Sequence, residues 1–320
     1  RNGPTQEETS STTTEQVVPQ NTNPIVPAAQ SDSLIQQQKV AAYGDLGGLF
    51  AAADQSLVSF ETEQMTVELN PKGGQISKLT LSSYENYEDA PLPLISEGNT
   101  DFNIQLNTLD GRVLNTREMY FTPITRDGAE AVQIEMRATL NAQQYISFLY
   151  SFPKNGHLFS FSVKTVGMQP LLNTAIAPEL SWKTDVFRNS RSIDYENRYT
   201  EFTFGYEDDR VDYLSLSGND EETRQDIRWI SYRQHFFSAI LIPEQSITEA
   251  KITSVDRSGE ESLNEKFTKT FTTNYALNSG GEVNTSLKFY YGPTDYKALK
   301  QLDGDLETSI PMGWGIFGWI

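Results

Sequence analysis

The sequence predicts a mainly β protein, a large antiparallel sandwich of two sheets followed by a short α-helix. Three observations predict this fold. From about residue 57 apolar and polar residues alternate, clusters of Gly, Asn, Asp and Pro separate the alternating segments, and aromatic residues make up 11% of the 320 residues. Strict alternation is typical of half-buried antiparallel strands, and the clusters are typical of turns. The alternating segments are too many for one immunoglobulin-sized sandwich, so a large two-sheet sandwich fits best.

Composition excludes several classes of protein. A hydrophobic fraction of 37% is enough for a core, which excludes wholesale disorder. The net charge of -18 would repel a phosphate backbone, so we expect no nucleic-acid partner. Absence of Cys excludes disulfides and thiolate chemistry, and only two His restrict catalysis and metal binding, so we expect no cofactor and no metal.

The first segment, residues 1–56, is predicted to be a disordered polar linker. It contains a Ser/Thr run at residues 9–14 and has no aromatic residue before Tyr43. Such a segment buries too little apolar surface to offset the entropy lost on ordering. Within it, residues 33–42 could form one short helix, which the glycines from Gly44 onward would end.

Residues 57–291 are predicted to form the sandwich. In residues 158–164, Phe159, Phe161 and Val163 lie on one face of a strand and polar residues on the other. The same alternation occurs in three further segments. Their apolar faces are Val132, Ile134 and Met136; Ile146, Phe148, Tyr150 and Phe152; and Val283, Leu287, Phe289 and Tyr291.

Residues 292–309 are predicted to form the C-terminal helix. Beyond Pro293, the apolar residues Tyr296, Leu299 and Leu302 recur at helical spacing, and lysines near the end suit the helix dipole. We therefore expect Tyr296, Leu299 and Leu302 to pack on the sandwich, with Tyr291 and Pro293 at the junction.

Residues 310–320 form an uncharged apolar tail that contains two of the four Trp residues. The tail is too short to span a bilayer, which takes ~20 apolar residues. Because Trp prefers the headgroup boundary, we expect the tail to lie at a membrane interface; the alternative is a buried tail. The interfacial residues would be Trp314, Ile316, Phe317, Trp319 and Ile320.

No motif identifies an enzyme. The tail matches the dinucleotide pattern G-x-G-x-x-G from Gly313 to Gly318, but that fingerprint needs a strand before it, a helix after it and an acidic residue about 20 positions later, whereas Pro311 stands just before the pattern and the sequence stops just after it. His157 and His235 could supply an acid and a base for a sugar epimerase, although a turn His and a strand His with structural roles are the simpler interpretation. Acidic runs at residues 207–209 and 220–222 are typical of solvated surface in so acidic a chain.

Four segments, in order, resemble the large periplasmic domain of the YidC membrane protein insertases of Gram-negative bacteria, in a Bacteroidetes-like form. They are residues 67–76, with a Pro-Lys-Gly-Gly turn; residues 229–243, which begin with Trp and end with Ile-Pro; residues 290–296, Tyr-Tyr-Gly-Pro-Thr-Asp-Tyr; and residues 313–317, Gly-Trp-Gly-Ile-Phe. Each motif is weak alone, and the ordered set is fairly specific. The linker is longer than those of the family.

The resemblance implies a β-supersandwich of the galactose mutarotase-like kind in the periplasm, attached to the bacterial inner membrane. It implies a non-enzymatic interaction or scaffold domain that assists insertion and folding of membrane proteins, alone or with the Sec translocon. A first membrane span would precede the linker, and the insertase core would lie beyond Ile320. Implied partners are a Sec accessory subunit, the protein's own membrane core, nascent membrane proteins and, at the C-terminus, lipid. Two alternatives are a carbohydrate-binding or mutarotase-like sandwich and a surface adhesive or scaffolding sandwich.

Overall fold

The structure, a computed structural model, describes Gly3 and residues 28–52, 54–260, 266–277 and 282–311. Within these residues the chain is mostly β-strand, the strands pair antiparallel throughout, and they form two sheets. The predicted fold class, a large antiparallel two-sheet β-sandwich with a short helix near the C-terminus, is confirmed.

The smaller sheet has four strands in sequence order. Its strands are β1 (Val58–Glu61), β2 (Met65–Asn70), β3 (Gln75–Glu85) and β4 (Pro91–Ile95). This sheet covers one face of the larger sheet through aromatic and polar contacts. The rings of Phe60 and Phe152 lie 4.9 Å apart, and the Tyr150 hydroxyl donates a hydrogen bond to the carbonyl of Gly74 at 2.9 Å.

The larger sheet has 14 strands. They are β5 (Thr100–Asn107), β6 (Val113–Asn115), β7 (Thr122–Asp127), β8 (Ala131–Asn141), β9 (Gln144–Pro153), β10 (Leu158–Val166), β11 (Glu179–Phe187), β12 (Glu201–Tyr206), β13 (Arg210–Tyr213), β14 (Asp220–Arg233), β15 (Phe237–Pro243), β16 (Ile247–Asp256), β17 (Phe267–Ala276) and β18 (Asn284–Pro293). Their spatial order is β6-β5-β11-β17-β16-β14-β15-β18-β10-β9-β8-β7, and β12 pairs with both β13 and β14. Hairpins therefore alternate with longer crossovers.

The core follows the alternation in the sequence. On β10 the side chains of Phe159, Phe161 and Val163 are buried, and the intervening residues are more exposed. Phe161 contacts Phe148 of β9, with ring centroids 5.4 Å apart. The ring of Trp182 stacks on Tyr232 at 3.9 Å. Aromatic side chains on the inner face of the larger sheet therefore fill the interior that the period-two pattern predicts.

The N-terminal boundary of the folded unit lies earlier than the predicted residue 57. Helix α1 (Ala28–Tyr43) continues into a 3-10 helix (Gly44–Phe50), whose Leu46, Leu49 and Phe50 are buried in the main core. The Tyr43 ring stacks on Phe50 at 4.0 Å. The linker prediction for residues 44–56 is therefore wrong in part, because three apolar residues of the first segment have partners on the sandwich. Residues 4–27 lie outside the described residues.

The C-terminal segment also differs from the helix predicted over residues 292–309. Strand β18 continues through Gly292 and Pro293, which pair with β15, and α3 covers only Tyr296–Lys300. A short 3-10 helix follows at Leu306–Ser309. Asp305 has a left-handed backbone with φ 56°, which separates the two helical turns. In the part of the chain described here, no helix has the length and apolarity that crossing a bilayer requires.

The N-terminal 3-10 helix and the C-terminal segment lie toward opposite ends of the neighbouring strands β8, β9 and β10. Gly48 lies beside Leu140 and Thr139 of β8. Thr139 pairs with Tyr145 of β9, and Tyr145 pairs in turn with Val166, the last residue of β10. The C-terminal segment begins after Pro293, just beyond the pairing of Tyr290 with Leu158, the first residue of β10. Nine residues of strand separate these points, about 30 Å.

Candidate functional site

The C-terminal segment packs on the outside of the larger sheet and forms a second hydrophobic cluster there. Its buried members are Trp229, Ile240, Tyr290, Leu299 and Leu306. The first three belong to strands β14, β15 and β18, and the two leucines belong to the segment. Leu158, Ile242, Leu302 and Ile310 pack against this cluster and are partly buried. The segment therefore completes a small core of its own, on the sheet face opposite to the main core.

Hydrogen bonds fix how the chain passes from β18 into α3. The Tyr290 hydroxyl donates to the carbonyl of Pro293 at 2.7 Å, and the amide of Thr294 donates to the carbonyl of Phe236 at 2.7 Å. The Asp295 carboxylate caps α3 by accepting from the amide of Ala298 at 2.8 Å. These bonds leave little freedom in the direction in which the segment departs.

Two glycines allow the side chains of the cluster to approach the backbone. A Cβ atom on Gly292 would lie 2.7 Å from Cγ of His157 and 2.8 Å from the ring of Tyr290. A Cβ atom on Gly205 would lie 2.3 Å from Nε1 of Trp229. Gly292 belongs to the Tyr-Tyr-Gly-Pro motif, so its role in that motif is close packing.

Beside this cluster lies a surface groove of about 720 Å³. Leu302 and Gly304 form part of its rim, and Leu158, Ile242 and Trp229 line it from the sheet. Its polar lining residues include Arg228, Glu244, Lys288 and Asp303, together with five serines. The groove thus has an apolar floor and charged edges, which suits binding of another polypeptide.

The structure brings together some of the predicted site residues. Leu299 and Leu302 face the second cluster, whereas Tyr296 is 38% exposed and does not pack as expected. Tyr291 and Pro293 lie in strand β18 and not in the helix; Tyr291 points into the main core. The predicted interfacial residues lie outside the described residues. They are Trp314, Ile316, Phe317, Trp319 and Ile320.

The two histidines have separate surroundings. The ring of His157 packs beside Gly292 and Tyr290, and burial lowers its pKa. The ring of His235 stacks on Tyr199 at 4.4 Å; partial burial and then the charge of Arg233 lower its pKa. Each histidine therefore favours its neutral form, and each ring has a structural contact that accounts for its position.

The acidic runs are held by surface ion pairs. Glu207 pairs with Arg210 at 3.0 Å, and Glu221 pairs with Lys251 at 2.9 Å. Across residues 28–52, 54–260, 266–277 and 282–311, no three or more His, Asp or Glu side chains gather in a way that could hold a metal ion.

Several residues of the site were not identified from the sequence. Trp229, Leu306 and Ile310 belong to the second cluster, and Trp229 alternates with the core residues Ile230 and Tyr232, a signal that could have placed it on the outer face. Tyr195 lies within α2 (Ile193–Asn197), Tyr199 lies two residues after it, and both are exposed. Residues four positions apart lie on the same side of a helix, so the spacing of Tyr195 and Tyr199 is the sequence pattern that could have predicted an exposed aromatic pair here.

Comparison with known proteins identifies the family. A family model described as the YidC periplasmic domain matches residues 57–320. The membrane protein insertase YidC of Parabacteroides distasonis is 28% identical over 299 residues, which cover 90% of this chain and 46% of the relative. That of Porphyromonas gingivalis is 27% identical, over 91% of this chain and 47% of the relative. The chain spans about half the length of the curated relatives it matches.

Two solved structures are also similar to the chain. The periplasmic domain of Thermotoga maritima YidC aligns with a TM-score of 0.38 and 11% identity, over 78% of this chain and 89% of that chain. A putative aldose 1-epimerase from Escherichia coli aligns with a TM-score of 0.45 and 7% identity, over 74% of this chain and 99% of that chain. The family model covers more than half of the chain and confirms the resemblance; this chain therefore belongs to the YidC periplasmic domain family.

Proposed function

We propose that this chain is the periplasmic interaction and scaffold part of a membrane protein insertase of the bacterial inner membrane. In this proposal it assists insertion and folding of membrane proteins, alone or with the Sec translocon, and the insertase core lies in another part of the protein. Support comes from the family match over residues 57–320 and from relatives that are named membrane protein insertases and are about twice as long. The domain itself would act without chemical catalysis.

The observation that carries this proposal is the burial of Leu299 and Leu306 against Trp229. It holds the C-terminal segment rigidly to the sandwich, so the segment could transmit the domain's position to the chain beyond it. The adjacent groove would then contact the protein's own membrane core. Of the five predicted helix-packing residues, Leu299 and Leu302 keep this role in the proposal. Tyr291 and Pro293 belong to strand β18, and Tyr296 is exposed.

Further partners are proposed on the family relationship. They are a Sec accessory subunit, nascent membrane proteins and the lipid interface next to the C-terminal tail. In the proposal residues 1–27 connect the folded unit to a preceding membrane span, and residues 310–320 lead to the next span. The charge of -18 argues against nucleic acid as a partner.

Site-directed crosslinking in the full-length insertase tests the contact with the membrane core. The chain has no Cys, so a single Gln301→Cys substitution on the rim of the groove gives one unambiguous thiol on this domain. We expect it to form a disulfide with single Cys residues introduced in periplasm-facing loops of the core. Leu109→Cys, on a residue that is 65% exposed, serves as the control. Equal crosslinking from both positions, or none from Gln301→Cys, would refute the groove contact.

Vesicle binding tests the proposed role of the tail. Trp182 and Trp229 are buried, so any change of Trp emission on adding phospholipid vesicles should come from Trp314 and Trp319. A variant that ends at Ser309 should lose the blue shift that the longer chain shows. Identical behaviour of the two chains would exclude the tail from the membrane interface.

A further inference from the structure

A second surface, remote from the groove lining, combines exposed aromatic rings with arginines. We call it the aromatic–arginine patch; its rings are those of Tyr195, Tyr199, His235 and Phe236. The rings of His235 and Phe236 lie 3.8 Å apart, and Tyr195 lies 5.1 Å from Tyr199. Tyr195, Tyr199 and Phe236 are 46%, 38% and 56% exposed, which is high for large aromatic residues that contact one another.

The backbone beneath the patch is held rigidly. The buried carboxylate of Glu196 accepts hydrogen bonds from the amides of Asn189 and Ser190, both at 2.7 Å. The side-chain amide of Asn189 donates to Gln234 at 2.7 Å, which ties the loop before α2 to the turn between β14 and β15. The exposed rings therefore stand on a preorganised base, so little conformational entropy would be lost when a partner binds.

The arginines near the patch differ from most others in the chain. Eight described arginines have a carboxylate oxygen within 4.0 Å. Among the described residues the remaining arginines are Arg126, Arg188, Arg191 and Arg198, and three of these four flank α2. Arg191 and Arg198 are exposed, and Arg188 stacks on Tyr87. Arg191 and Arg198 are therefore exposed cations beside the rings with no ion pair among the described residues. Arg188 interacts with the charge of the buried Glu196, and Asp194 is the exposed acidic residue of α2.

We propose that the aromatic–arginine patch docks a short acidic segment of a protein partner, one that presents carboxylates and an apolar or aromatic side chain. Tyr and Arg dominate the binding energy of protein interfaces, and guanidinium groups pair well with carboxylates. The rings of Tyr195, Tyr199 and Phe236 are exposed at the surface, which suits a protein partner better than an enclosed small molecule. An anionic bilayer is disfavoured as the partner because its extended surface would be repelled by the net charge of -18 on the whole domain. A short acidic segment would contact only the patch.

This inference goes beyond the proposed function and does not depend on it. The patch consists of α2, its flanking residues and the β14–β15 turn, whereas the groove is lined by other residues. The crosslinking of Gln301→Cys and the binding test below can therefore fail independently.

The test uses displayed random peptides of roughly a dozen residues, each position drawn from Asp, Glu, Leu, Phe and Ser. A matched library replaces Asp and Glu with Asn and Gln. Both are selected on the 320-residue chain, and enriched peptides are synthesised for titration. We expect enrichment from the acidic library only, and a dissociation constant roughly tenfold weaker for Arg191→Glu/Arg198→Glu and for Tyr195→Ser/Phe236→Ser.

Two variants provide matched controls. Arg126→Glu reverses the charge of the fourth unpaired arginine, on β7, and Tyr213→Ser removes an aromatic residue that is 56% exposed on β13. Both should bind the selected peptides as the unchanged chain does. The proposal is overturned if neither library is enriched, if the amide library is enriched equally, or if the controls weaken binding as much as the patch variants. Binding of vesicles with anionic lipid that is lost in the patch variants would assign the patch to membrane instead.

Discussion

Replacing Leu299 with Ala should release the C-terminal segment from the sandwich while the two sheets stay folded. Leu299 is fully buried, and its neighbours in the second cluster include Leu306 of the same segment. α3 has only five residues and could not persist as an isolated helix, so its order depends on this packing. The substitution removes one of the two buried leucines that hold the segment.

The expected size of the effect follows from burial. Fully burying a leucine contributes about 1.5–3 kcal/mol, so two leucines contribute roughly 3–6 kcal/mol before the cost of ordering the segment. A buried Leu→Ala change typically costs about 2–5 kcal/mol. A loss near 3 kcal/mol in the free energy that holds the segment on the sandwich raises the equilibrium constant for its opening about 100-fold. The segment would therefore be open for a large fraction of the time.

Hydrogen exchange followed by mass spectrometry measures this opening directly. Amides of Leu302 and Ile310, which donate to the carbonyls of Leu299 and Glu307, should exchange about 100-fold faster in Leu299→Ala. Tyr296→Ala alters an exposed side chain on the same helix and should leave the exchange nearly unchanged. Leu302→Ala, at a partly buried position, should give an intermediate result.

Two outcomes would contradict this reasoning. Unchanged exchange over residues 294–310 would mean that packing of Leu299 does not hold the segment. Faster exchange spread equally over β8, β9 and β10 would mean that the segment and the sandwich unfold as one cooperative unit, contrary to a separate second cluster.

Three further changes test other contacts. Gly292→Ala should lower the melting temperature by several degrees, because the added Cβ would clash with His157 and Tyr290, whereas Gly259→Ala, with no atom within 4 Å, should not. Arg233→Met should lower the free energy of unfolding in urea by about 3 kcal/mol, because the buried Glu201 carboxylate loses its ion-pair partner and keeps only the Thr203 hydroxyl and the more distant charge of Lys269. Arg233→Met/Glu201→Leu should recover much of that loss, and an equal loss in both variants would show that packing, not charge, is responsible. Because burial lowers the pKa of His157 in the folded state, the unfolded state takes up the proton first, so the free energy of unfolding should fall as pH drops below about 6.5. His157→Gln should flatten that slope between pH 7.5 and 5.5, and an unchanged slope would assign it to other groups.

The sandwich could be predicted from the sequence because its strands are half-buried. On β10 the alternation of Phe159, Phe161 and Val163 with polar residues predicts directly which face of the strand is buried. The pairing order of the larger sheet is different, since it depends on contacts far apart in sequence, such as β10 with β18. Local patterns contain no such information.

The errors at both ends of the chain have a common cause. Leu46, Leu49 and Phe50 sit among glycines in a segment of polar composition, and only their partners on the sandwich make them core residues. At the other end, the spacing of Tyr296, Leu299 and Leu302 predicts a helix that is present but shorter than predicted. The left-handed backbone at Asp305 has no counterpart in the apolar periodicity, so the sequence pattern does not show where the helix ends. The second cluster was missed in part since Trp229 acquires its role only when the C-terminal segment folds back over it.

The position of the N-terminal 3-10 helix and the C-terminal segment, toward opposite ends of the strands from β8 to β10, has a mechanical consequence. Tension applied between the N-terminal 3-10 helix and the C-terminal segment would act along the strands and not across them. Inter-strand hydrogen bonds run perpendicular to antiparallel strands, so the bonds within each ladder from β8 through β9 and β10 to β18 would share such a load together. The sandwich would then resist a pull along the strands, between these two segments, more strongly than a pull applied across the strands.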